Sequence, residues 1–153
     1  MKKTFLGIFI CAFTVAYFGV AIAAESGITG TWKNFEIKGA NKGKEKALNE
    51  IFEKNGAYFA KVTKLFLIPQ DSVCDKCTGD LKNKPVIGII YLNNMKKTGN
   101  VDEELGEEYA DGTVLDMEKG KTFKCKIWVK GDVLTLRGYL GFLYESQQWQ
   151  RVK

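Results

Sequence analysis

The chain has no histidine, and that one absence removes several chemistries together. Ser-His-Asp and Cys-His catalysis need an imidazole, as do His-ligated zinc and a side chain that switches charge near neutral pH. No glycine-rich phosphate loop, nucleophile elbow or EF-hand pattern occurs either. Acidic residues exist that could form a glycosidase pair, but no spacing singles two of them out. The expectation is a protein that is not an enzyme and carries no metal or cofactor. What remains is ordinary: 45% hydrophobic and 27% charged residues describe a folded domain rather than a disordered chain. A length of 153 residues suits one domain and not two.

Long apolar runs are scarce as well, with a single one at the N-terminus. Lys2 and Lys3 precede an apolar stretch from Phe5 to Ala24 that ends in Ala21-Ile22-Ala23. Small residues two apart after an apolar run mark a signal-peptidase site, so 1–23 reads as a cleaved leader and 24–153 as one domain. An uncleaved anchor is the alternative, since about 20 apolar residues span a bilayer. Cys11 sits in mid-run after Phe9-Ile10, which does not fit a lipoprotein cysteine. Export implies a periplasmic or secreted location, with no stable membrane span after cleavage. Loss of residues 1–23 removes two lysines and one cysteine, leaving 130 residues, three cysteines and a net charge of +3. Lysines gather between Lys33 and Lys46, and acids at Asp102, Glu103, Glu104, Glu107 and Glu108. Separate clusters of opposite sign describe solvated surfaces, not a nucleic-acid footprint.

The remainder shows short apolar alternations divided by turn residues. Candidate strands are 30–37, 47–53, 57–67, 86–92, 109–115, 122–129, 133–139 and 147–152. In 122–130, Phe123, Cys125, Ile127 and Val129 share one face and lysines the other, with Trp128 the exception. Asn55-Gly56 supplies the positive φ angles of a tight hairpin, and Gly120 and Gly131 centre two more short turns. Residues 44–53 also fit helical spacing, but the Asn-Gly turn that follows favours a strand. Eight strands with short connections predict an all-β, antiparallel up-and-down small barrel, with a two-sheet β-sandwich as the alternative.

Several separated segments carry a family resemblance. They are Gly30-Thr31-Trp32, Cys74-Asp75-Lys76-Cys77-Thr78-Gly79 before Pro85-Val86-Ile87-Gly88, and Arg137-Gly138-Tyr139-Leu140-Gly141 leading to Trp149-Gln150-Arg151-Val152. With Gly112-Thr113-Val114-Leu115-Asp116 and the stretch from Gly120 to Cys125, the chain resembles a bacterial exported family catalogued as domain of unknown function 2147. Met117 departs from that pattern, which usually has proline there. The family has no settled activity. Its ends are similar to lipocalin-like barrels, which implies that Trp32 packs under Arg151 and closes one end of the barrel. A guanidinium over an indole contributes about 0.5–2 kcal/mol.

Cys74-x-x-Cys77 is the sharpest local feature. In an exported protein it reads as a structural disulfide, worth about 2 kcal/mol for so short a loop. A redox pair and a thiolate metal site with Cys125 are the other readings, the first wanting a βαβ context and the second more soft ligands. Cys125 lies on an apolar face and reads as a buried thiol. Arg137 either faces inward, needing Asp116, Glu145 or an anionic ligand, or faces outward as a surface charge.

Two functions follow. The first is an envelope module that binds a small apolar, lipid-like or fatty-acid-like ligand. Its expected pocket is lined by Tyr58, Ala60, Val62, Ile87, Ile127 and Leu136, with Arg137 at the rim and the 74–77 loop as lid. Ala60 and Gly138 leave room beside large inward residues. The second is a structural or interaction module with a filled core that presents the disulfide-pinned loop to an envelope protein. A Cys-x-x-Cys redox protein ranks below both.

Overall fold

Period-two alternation buries one face of a strand, and eight such faces meet when a sheet closes on itself. The computed structural model describes residues 27–153, so the leader expected at 1–23 lies outside the described residues. The strands are β1 (Gly30–Phe35), β2 (Glu45–Lys54), β3 (Ala57–Leu65), β4 (Ile90–Asp102), β5 (Gly106–Asp116), β6 (Lys121–Lys130), β7 (Val133–Leu140) and β8 (Leu143–Arg151). Each pairs antiparallel with the next, and β8 returns to β1 to close the barrel. The expected up-and-down barrel is the observed fold, and the sandwich is set aside. Among the described residues no helix is long and apolar enough to cross a membrane.

Local chemistry explains the connections. At the β2–β3 turn Asn55 and Gly56 both have positive φ, 53° and 75°, which matches the twist of the strands they join. Residues 45–54 form a strand rather than a helix, with Ala47, Asn49 and Ile51 facing in. Interruptions of register, for example between Tyr109 and Gly112, bend the sheet enough to close it.

The largest departures from the alternation pattern fall at β4 and β8. Residues 86–89 belong to the long β3–β4 connection, and β4 starts at Ile90 and runs on to Asp102. Val86 and Ile89 are buried by the connection itself, so their apolar character does not mark a strand. The second half of β4 is exposed on both faces and carries no alternation to read. β8 likewise begins at Leu143, four residues before the expected 147–152, because residues 143–146 are all exposed and show no alternation of burial.

The barrel has two unlike ends. Residues 27–29, the turns at 55–56, 103–105 and 131–132, and the C-terminus lie at one. The connections 36–44, 66–89, 117–120 and 141–142 lie at the other, called the mouth below.

Candidate functional site

The first end is sealed. Trp32 is fully buried, and its Nε1 donates to Ile28 O at 2.9 Å, drawing the buried Ile28 across the barrel end. The β1–β8 seam is short, with Trp32 opposite Arg151 and Lys33 opposite Gln150. Arg151 clasps it: the guanidinium lies 4.2 Å over the Trp32 ring and donates to Thr29 O at 2.7 Å and Gly27 O at 2.5 Å. The arginine holds the barrel shut with one donor from each terminal nitrogen on a backbone carbonyl, while its Nε faces Asp132 Oδ1 at 3.7 Å.

Above this seal the interior is packed. Ala60, Val62, Ile127 and Leu136 belong to one buried cluster, with Tyr58 packed against it. Sequence reasoning missed two large aromatic members of this cluster, Tyr91 and Trp149, whose ring centres are 6.4 Å apart. The Tyr91 hydroxyl donates to Asn49 Oδ1 at 2.8 Å, and burial holds it protonated far above the usual phenol range. Tyr58 meets Tyr109 edge to face, and Cys125 lies 3.4 Å from Met95 Sδ. Ala60 is fully enclosed, so a larger side chain there overpacks the core. Ile87, in the β3–β4 connection, is half-buried and packs against the same cluster.

Arg137 takes the outward orientation. Its guanidinium lies 5.0 Å over Trp128 and 4.3 Å over Tyr144, and its Nε donates to Ser146 Oγ at 3.1 Å. This also explains Trp128, the break in the β6 alternation. It is buried on the outer wall under Arg137 and Lys126. The carboxylates considered for Arg137 serve other cations, Asp116 binding Lys119 at 2.7 Å and Glu145 binding Lys38 at 2.5 Å.

The mouth is covered on one side. Cys74 and Cys77 are bonded, with Cα atoms 5.4 Å apart, and both are buried. The connection holds itself through Cys74 N to Lys84 O, Asn83 N to Cys74 O and Val86 N to Ser72 O, each 2.9 Å. It presses on the β5–β6 turn so closely that a Cβ at Gly120 would stand 1.9 Å from Lys76 O. Cys74, Cys77, Val86 and Ile89 thereby join the core cluster as a lid, with Leu115 and Met117 packed beneath. Because the two lid thiols are joined, Cys125 has neither as a free partner. Burial pushes its thiol up to about 12, the reverse of an activated nucleophile.

The other side of the mouth is open. Asn34, Val114, Phe123, Gly138 and Gln147 share the inward face of their strands with buried neighbours, yet each remains partly exposed. Asn34 Oδ1 is buried and accepts no hydrogen bond among the described residues. At Gly138 an added Cβ would meet just one atom within 4 Å, Val114 Cγ1 at 3.9 Å. A depression lined by Phe123, Lys124, Tyr139 and Leu140 adjoins this bare wall.

A closed eight-stranded meander with one end clasped by a Trp-Arg pair and the other half-lidded defines a small calyx-type barrel. The chain belongs to the family described as "Uncharacterized protein conserved in bacteria (DUF2147)", which matches residues 30–151. It is similar in fold to the solved structure of HP1028 from the human pathogen Helicobacter pylori, a protein described as belonging to the lipocalin family. The TM-score is 0.67 at 18% identity, over 83% of this chain and 84% of that one. No curated protein matches the sequence.

Proposed function

We propose that this is an exported protein of the bacterial envelope that holds one small apolar molecule in the mouth half of its barrel. The observation that carries the reading is the bare inner wall at Gly138. Four inward side chains and Gly138 stay partly open to solvent there, while the lower barrel is packed. Phe123 and Val114 offer apolar contact, and Asn34 and Gln147 offer polar groups to orient a head group. The site sits higher than the alternation pattern suggests, because Tyr91 and Trp149 fill the depth that the sequence leaves open. Titration with fatty acids of increasing chain length and with a hydrophobic dye is the test. Saturable binding, lost in Gly138→Phe while the fold persists, is the expected result.

The packed lower core favours a second reading, in which the barrel is a rigid stand that shows its lid to an envelope protein. If no apolar probe binds above background, that reading replaces the first. Export rests on the Lys2-Lys3 start and the Ala21-Ile22-Ala23 motif. N-terminal sequencing of the exported protein is expected to begin at Ala24. Intact Met1 in the membrane fraction would establish an anchor instead.

A further inference from the structure

The β7–β8 hairpin ends in Leu140-Gly141-Phe142-Leu143-Tyr144, an apolar sequence at a place where solvent contact normally selects polar residues. The turn is tight: Leu140 pairs with Leu143, and Gly141 takes a φ of 61° that sets Phe142 at the apex. Phe142 is 93% exposed, and Leu140, Leu143 and Tyr144 are each more than half exposed. Leu140, Phe142 and Leu143 lie outside the buried core cluster, and Tyr144 packs only on the outer wall, against Tyr139 and Arg137.

The unpaired charge around the tip has one sign. Lys121 and Lys124 share a depression with Tyr139, Leu140 and Gly141, and neither pairs with a carboxylate among the described residues. Arg137 stacks on Tyr144 from the other flank. The nearby acids are already matched, Glu145 by Lys38, Asp116 by Lys119 and Glu118 by Lys46. A convex apolar apex ringed by unmatched cations has the chemistry of an interfacial anchor, which dips its tip below the headgroups and sets its cations against phosphates. A protein partner fits less well, because a stable interface uses about 20–30 residues a side.

We infer that this hairpin tip docks the barrel, mouth first, on an anionic lipid surface. The docking does not depend on a ligand in the mouth, so the two readings fail separately: Gly138→Phe is expected to end ligand binding and to leave docking intact.

The test uses the chain from Ala24 onward, which contains the whole closed barrel, with vesicles of phosphatidylglycerol in phosphatidylcholine or of phosphatidylcholine alone. Co-sedimentation is expected to be about tenfold stronger on the anionic vesicles and to weaken with salt. Phe142→Ser combined with Leu143→Ser should abolish it, and Lys121→Glu with Lys124→Glu should reduce it about tenfold or more. Phe142→Trp adds a readout at an exposed site, with blue-shifted emission that brominated lipid quenches. Equal sedimentation on both vesicle types, or binding untouched by the Phe142 and Leu143 changes, would overturn the inference. So would a dimer of the chain that Phe142→Ser dissolves in the absence of lipid, because the tip would then be a self-association surface.

Discussion

The Arg151 guanidinium contributes a stacked plane and two backbone hydrogen bonds at the barrel's shortest seam. Arg151→Ala removes all three and is expected to cost about 2–3 kcal/mol in urea denaturation. Arg151→Lys should retain only part, since an ammonium neither stacks flat nor forks between two carbonyls. Equal midpoints for wild type and Arg151→Ala would mean that the clasp contributes nothing. This pair was legible only through the family resemblance, which implies that a Gly-x-Trp at one end packs under an arginine at the other. Tyr91 was not legible as a core-filling residue. It lies where the pairing of β3 with β4 slips between Ala60–Leu92 and Lys61–Ile90, and there the rule that neighbours face opposite ways fails. Arg137 was open for the opposite reason: alternation divides a strand into two faces but does not say which face is inside.

Among the elements, the 66–89 connection has the most to do with the site. It has no strand of its own, yet it supplies four buried residues to the core and covers half the mouth. Cutting its disulfide by Cys77→Ser is expected to destabilise the protein by about 2 kcal/mol in the chain-entropy model. The same change should loosen the lid first, giving protease cleavage within 66–89 while β1–β3 and β5–β8 remain protected. Cleavage at the same rate with and without the disulfide would show that packing on Gly120 and Met117 holds the lid unaided. The Cys-x-x-Cys spacing announces the crosslink in the sequence. That the crosslink sits inward over the barrel is set by contacts with a turn more than forty residues away, which no local pattern carries.

Over the whole barrel, cross-strand carboxylates set the acid limit. Glu108 on β5 accepts from Lys126 of β6 at 2.9 Å and from Thr98 and Asn100 of β4, both at 3.1 Å, so one side chain ties three strands. The Lys126 hydrogen bond holds its carboxyl below the ordinary 4.5, against the opposing effect of burial. The hydrogen bonds of Lys97 to Glu107 and of Lys46 to Glu36 lower those two carboxyls as well. A lowered folded value means that the unfolded chain takes up protons first. The stabilisation is therefore present in full above the ordinary range and disappears as the pH falls below about 4.5. Thermal melts from pH 7 to pH 3 should show this decline, with the exposed pairs contributing about 0.2–1 kcal/mol each. Glu108→Gln should flatten part of it, and an unchanged slope would remove Glu108 from the account. The meander and the turns are written in the sequence, because period-two alternation and Asn-Gly chemistry are local and survive any tertiary context, whereas the closing pair was read only through the family resemblance. Only the tertiary structure decided how deep the barrel is filled, which way Arg137 points and where the mouth stays open. Those depend on register slips and on packing between residues far apart in the chain, and a one-residue slip is enough to exchange inside for outside.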